Sequence, residues 1–214
     1  MRAPRTNRCR RESERQCHKL RPVSFFDVPP RPPEPPPRPR PDQPEWLGPP
    51  KGMLPGVSTQ EVVLFKTDRA FLRAHRFLAY PTGIQFTLNL RLRSADDHDH
   101  DLHWDLHGRR RPGRSEDDLL RLGVLWSDGA KRTNLDSTPP GRNTPPEPPV
   151  VMSRSGGGGD GQFSMTYWMW PLPPEGPMTI VCEWPAYDIA ETRVVVDATE
   201  LRSRADEAEA IWPD

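Results

Sequence analysis

The chain has 214 residues, with 30 basic and 30 acidic side chains, so no global field of either sign points to nucleic acid, a membrane surface or an acidic substrate. Hydrophobic residues make up only 34%, beside 29 prolines and 15 glycines, which excludes more than one modest packed domain. Fourteen of the prolines fall in residues 1–50, so the core is expected after Pro50.

Residues 1–24 carry eight Lys or Arg against two Glu. No apolar run follows them, and Arg10-Arg11 precedes the polar Glu12-Ser13-Glu14, so neither a secretory nor a twin-arginine signal is expected. Aromatics for base stacking are not interleaved with these cations, so no specific nucleic-acid contact is expected. Arginine outnumbers lysine 26 to 4, the pattern of a GC-rich genome. Such genomes often start at valine codons, and Val23 opens a segment of different composition, so residues 1–22 are expected to be an optional extension.

Pro29 to Pro50 contains twelve prolines, which fix φ repeatedly and favour an extended polyproline II rod. Within it Pro33-Glu34-Pro35-Pro36-Pro37-Arg38 fits the P-x-x-P-x-R form that SH3-like grooves read; a solvated linker is the plainer reading. Residues 1–50 are therefore expected to be a disordered tail, and residues 51–214 the folded domain.

Val62 to Lys66 reads as a strand. From Ile84 the chain alternates, with Ile84, Phe86, Leu88, Leu90 and Leu92 on one face and polar groups on the other, which is the signature of a half-buried strand. Tyr80-Pro81-Thr82-Gly83 supplies a tight turn before it, making Phe71 to Ala79 the antiparallel partner. The spacing of Phe71, Ala74 and Leu78 also suits a helix, the competing reading. Leu120 to Trp126 and Ala130 to Leu135 flank Asp128-Gly129, a hairpin signal. Val150 to Ser153 is a short strand, after which Gly156 to Gly161 is expected to be a flexible loop. Gln162 to Trp170, Met178 to Trp184 and Glu191 to Val196 complete the set.

Glu200 to Ile211 reads as a terminal helix capped by Asp197 in a D-x-x-E capping box, occupying residues 197–212 with an apolar stripe of Leu201, Ala205, Ala208 and Trp212. Eight or nine short strands and one helix, without β-α-β alternation, give an all-β fold: an antiparallel β-sandwich with one C-terminal helix.

The sharpest chemical candidate is the run Asp96 to His107. Its four imidazoles, His98, His100, His103 and His107, stand among five carboxylates, a donor set suited to zinc, nickel or copper. His98-Asp99-His100-Asp101-Leu102-His103 resembles the H-x-H-x-D-H loop of metallo-β-lactamase-like hydrolases, a resemblance that implies a metal-dependent hydrolase. Leu102 stands where that family has its metal-binding aspartate, and no histidine follows His107. The plainer reading is a polar inter-strand loop, and no cofactor is expected.

Other constellations are weaker. Gly156 to Gly161 has no following Lys-Ser or Lys-Thr, so it is no phosphate cradle. Ser153, Ser155 and Ser164 sit in no nucleophile elbow. Cys182 alternates inward with Ile180 and Trp184, a buried structural thiol rather than a nucleophile. Glu183 and Glu191 read as buried ion-pair partners of Arg193. An odd count of three cysteines suits a reducing, cytoplasmic setting, and no window approaches the roughly 18 apolar residues of a membrane span.

Tyr167, Trp168 and Trp170 form the candidate contact surface. Tyr167 belongs with Met165 and Met169, which leaves Trp168 and Trp170 on the opposite face, either as an exposed platform for a partner or covered by the C-terminal helix; the covered reading is the stronger, since Leu201 and Trp212 need an apolar surface.

Ala79-Tyr80-Pro81-Thr82-Gly83, Trp126-Ser127-Asp128-Gly129, Gly156 to Gly159, Tyr167-Trp168-Met169-Trp170-Pro171-Leu172-Pro173-Pro174 and Cys182-Glu183-Trp184-Pro185 together resemble an uncharacterised family of small proteins from high-GC Gram-positive bacteria. The resemblance covers Pro29 to Pro213 and implies domain limits and an intracellular location, but carries over no catalytic residue. A non-enzymatic interaction module is expected, meeting a protein partner through the aromatic strand or the Pro-rich tail.

Overall fold

The computed structural model describes residues 43–93, 115, 119–135 and 141–212. Cys9, Cys17, the P-x-x-P-x-R segment and the whole Asp/His run with His98, His100, His103 and His107 lie outside the described residues. Twelve strands and one α-helix are present among those described: β1 (Met53–Leu54), β2 (Gly56–Val57), β3 (Val62–Lys66), β4 (Ala70–Tyr80), β5 (Gly83–Leu92), β6 (Arg121–Leu125), β7 (Lys131–Thr133), β8 (Val150–Gly159), β9 (Gln162–Trp170), β10 (Pro177–Trp184), β11 (Ile189–Asp197), α1 (Ala198–Ala205) and β12 (Glu209–Ala210). Nine of these strands match the sequence expectation, and the additional three are two-residue pairings, β1 with β12 and β2 with β4.

Every pairing among the described residues is antiparallel. One sheet runs β2-β4-β5-β9-β8, with β3 also on β4, and the other runs β11-β10-β6-β7. The two sheets enclose a single core in which β5 contributes Ile84, Phe86, Leu88 and Leu90, β9 contributes Phe163, Met165, Tyr167 and Met169, and β10 contributes Met178, Ile180, Cys182 and Trp184. Phe77, Phe86 and Tyr167 stack in series, with centroids 5.7 Å and 5.5 Å apart. Rings of this size each stabilise the fold by about 1.5–3 kcal/mol through burial, so this file of aromatics is a principal source of cohesion between β4, β5 and β9.

The strand reading of Phe71 to Ala79 holds, and Phe71, Ala74 and Leu78 share no single face: only Ala74 is buried in the core. Between His75 and Leu78 the β4–β5 register shifts, and Arg76 takes φ 54°. A bulge inserts one extra residue and reverses the side-chain phase. Before it Ala70, Leu72 and Ala74 are buried, and after it Phe77 and Ala79.

Two expectations are corrected. Gly156 to Gly159 is no flexible loop but the second half of β8, paired residue by residue with β9 from Met165 to Gln162; Asp160 (φ 52°) and Gly161 (φ 70°) form the turn, the double positive φ of a type I′ hairpin whose twist matches the strands. The terminal helix stops at Ala205. Asp206, Glu207 and Glu209 follow it, and carboxylates at a helix C-terminus oppose the dipole. The chain then turns back to pair with β1, leaving Trp212 73% exposed rather than part of an apolar stripe.

The N-cap is as expected at Asp197, whose carboxylate accepts the backbone N–H groups of Thr199 and Glu200 at 2.9 and 3.3 Å. The returning half of the capping box is supplied otherwise: the N–H of Asp197 donates to Gln60 Oε1 at 2.8 Å, and Glu200 reaches away from the cap. Leu201 and Ala205 are buried, and α1 packs chiefly on β4. No helix among the described residues is long and apolar enough to cross a membrane.

Candidate functional site

The aromatic strand is not the open platform that its sequence allows. Tyr167 faces the core with Met165 and Met169, as expected, and is buried; Trp168 lies on the opposite face yet is 0% exposed. Its cover is not α1 but a 3-10 turn at Glu45–Leu47. The Trp168 indole N–H donates to the Glu45 carbonyl at 3.0 Å, and Trp46 meets Trp170 edge to face at 6.0 Å. Arg154 closes the far side by donating to the Leu47 carbonyl. Tyr167 and Trp168 are therefore withdrawn as contact residues, and Trp170 is half-buried against Trp46. The physical reason is local: six hydrophobic positions in Gln162–Trp170 supply more apolar surface than one core face can take, so the chain before β1 folds over the remainder. The described fold thus reaches back to the Glu45–Leu47 turn, ahead of Lys51.

Nor does a reactive constellation form among the described residues. Cys182 is fully buried, and burial, aided by the neighbouring Glu183 charge, pushes its thiol up to about 12, which removes the thiolate that a nucleophile needs. His75 is half-buried on the outer face of β4, where partial burial and then the Arg73 charge hold its imidazole below the usual range. No group of three or more His, Cys, Asp or Glu close enough to hold a metal occurs among the described residues.

A cleft with a built floor lies on the outer face of β11-β10-β6-β7. Alternation sends Leu122 and Val124 inward and turns Arg121, Gly123 and Leu125 outward. The register places Arg193, Val181, Gly123 and Thr133 in one row across four strands. Gly123 has no side chain, and its flanking neighbours are short, so the row is a trough of about 270 Å³. One bank carries Arg121, which pairs with Glu183 at 3.0 Å, and Arg193, which pairs with Glu191 at 2.8 Å. The other carries Leu125 and Lys131. Arg132 is tied back to the carbonyls of Pro149 and Glu147 at 2.7 and 2.8 Å. Lys131 is exposed and makes no hydrogen bond or ion pair with a described side chain, so it is the unspent charge of the trough.

The expected Glu191–Arg193 pair is thus present, but on the surface instead of buried, while Glu183 takes Arg121. Sequence reading passes over Gly123, although a glycine inside an otherwise alternating strand is itself a signal of close approach or a missing side chain. No family model, no curated protein and no solved structure matches the chain.

Proposed function

We propose that the domain is a non-enzymatic binding module of the cytoplasm, and that the trough over Gly123 is its contact surface for a protein partner. The observation that carries this reading is the row Arg193–Val181–Gly123–Thr133, where a depression with an apolar floor lies beside the Arg121–Glu183 and Arg193–Glu191 pairs and Lys131. Its volume falls just under the roughly 300–1,000 Å³ usual for small-molecule sites. That suits one or two side chains of a partner better than a free metabolite. An apolar side chain beside an acidic one answers both the floor and Lys131.

Gly123→Phe tests the reading. A Cβ at Gly123 meets only ordinary contacts, 3.4 Å from the Arg132 carbonyl oxygen and 3.5 Å from Thr133 Cγ2, so the ring fills the trough without disturbing the backbone. Pulldown from the native host with tagged wild-type and variant chains should recover a partner that the variant loses while its thermal midpoint is retained. Equal recovery by both overturns the trough as the contact surface.

A further inference from the structure

The larger sheet ends on β8, and the second half of that strand is an edge that no described residue covers. β8 is terminal in the order β2-β4-β5-β9-β8. Its first half is guarded by the register shift between Ser153 and Ser155 and by Arg154, held to the Leu47 carbonyl. Its second half, Gly156 to Gly159, is four exposed glycines in regular pairing with β9. Natural sheets blunt such edges with charged side chains, proline, bulges or a covering loop, and among the described residues this half has none of them.

The hairpin fixes which groups point outward. A two-residue turn is closed by a hydrogen-bonded pair, here Gly159 with Gln162, and hydrogen-bonded and non-bonded pairs then alternate along an antiparallel ladder. Gly157 therefore directs its N–H and C=O toward β9, while Gly156 and Gly158 direct theirs away. Two donors and two acceptors stand in line on a straight, exposed backbone.

At Gly158 glycine is required by the packing beneath, since a Cβ there would overlap the carbonyl oxygen of Gln162; one on Gly156 would lie 3.0 Å from that of Ser164, a tight fit that a shift of a few tenths of an ångström relieves. Gly157 and Gly159 have open space where a side chain would project. The sheet is bare on that face out to Ser164 and Gln162, their partners on β9.

We infer that the Gly156–Gly159 edge accepts an extended peptide segment of another protein as an added antiparallel strand. The hydrogen bonds come from Gly156 and Gly158, as in recognition by strand addition generally. A second copy of this chain is the poorer occupant. Two glycine edges laid together bring no side chains and bury far less than the roughly 1,200 Å² of a stable pairing. The occupant must bring its own surface. Side chains directed over Gly157 and Gly159 meet the Ser164 hydroxyl and the Gln162 amide, which suits threonine, and β-branched residues hold the extended form. The partner segment is therefore β-branched, neutral and threonine-bearing.

The probe is a capped octapeptide of alternating threonine and valine, with its match N-methylated at every second amide. Addition of the unmodified peptide at millimolar concentration to the full chain should slow hydrogen exchange at the Gly156 and Gly158 amides at least tenfold, and the methylated match should not. Gly156→Ala and Gly156→Pro add the same Cβ, but only proline removes the donor; binding should survive in the first within about threefold and fall at least tenfold in the second. Gly123→Phe should leave this binding unchanged, which separates the edge from the trough. Equal protection by both peptides, or no protection by either, overturns the inference. So does slowed exchange that appears with protein concentration alone, since that assigns the edge to a second copy.

Discussion

The indole N–H of Trp168 donates to the carbonyl of Glu45, 123 residues away in the chain, at 3.0 Å. This bond gives a buried indole the partner it needs and pins the Glu45–Leu47 turn over the outer face of β9. The folded unit thus includes a stretch that composition assigns to the proline-rich tail.

Truncation should separate the two. A chain beginning at Gln43 keeps the turn, and one beginning at Lys51 bares Trp168 and leaves its N–H to water. The second should melt at least 5 °C below the first by calorimetry, since for a domain of this size about 2–4 °C corresponds to roughly 1 kcal/mol. Coincident midpoints would make the turn an ornament on an independently stable sandwich.

Glu200 joins α1 to the chain before β3. It accepts from Ser58 Oγ and Gln60 Nε2, both at 2.7 Å, and from Arg204 Nε at 2.8 Å. Partial burial alone would raise its carboxyl, but the bonds from Arg204, Ser58 and Gln60 outweigh it and hold the group below the usual glutamate range. A depressed folded value means that the stabilisation is complete above the unfolded pKa and is lost as pH falls through the folded one. Glu200→Gln should cost about 1–3 kcal/mol at pH 7, the penalty for underserving the buried Ser58 hydroxyl and its neighbours. The gap between variant and wild type should narrow as pH is lowered through and below the glutamate range. Urea titrations at several pH values measure this, and a gap independent of pH would deny Glu200 its ionised role.

Cys182 should be silent in the native state. With its thiol pushed up to about 12 by burial, iodoacetamide at pH 8 should leave it unmodified and label it fully in urea, as read by mass spectrometry of the peptide that contains it. Labelling at equal rates in both conditions would place the thiol at the surface.

Trp184 packs at 4.1 Å from the Tyr187 ring and 6.4 Å from that of Phe65 and is fully buried. Trp184→Ala should destabilise by about 3–5 kcal/mol, since lost transfer energy and a residual cavity add. Trp170→Ala, losing a half-buried ring and its contact with Trp46, should cost less than Trp184→Ala. Equilibrium unfolding of the two variants ranks them, and the reverse order would mean that the Trp46 turn matters more than the inter-sheet core.

Strands whose inner face is continuous are legible from alternation alone, as at Ile84–Leu92 and Gln162–Trp170. Sequence and structure part where a local rule is overridden. Glycines 156 to 159 read as a loop because their composition carries no strand preference, but pairing with β9 supplies what propensity lacks. The apolar period continues to Trp212 and so predicts a helix seven residues too long, while the charge pattern after Ala205 opposes it. The cover of Trp168 is not legible at all, since contacts between Glu45 and residue 168 leave no local period. The trough is half visible: the outward set Arg121, Gly123 and Leu125 comes from alternation, but its neighbours on β10 and β11 require a register that only the folded chain provides.

The strand order has a consequence for synthesis. β5 waits for β9, which leaves the ribosome some seventy residues later, and β6 waits for β10, some fifty residues later. Until Trp184 emerges, the β4–β5 and β6–β7 hairpins, one from each sheet, lack β9 and β10 beside them, and such pairings between distant segments close slowly. A nascent chain paused anywhere between Leu135 and Met178 therefore carries two half-built sheets. That is the interval in which a chaperone has the most to bind and a translational stall the most to spoil.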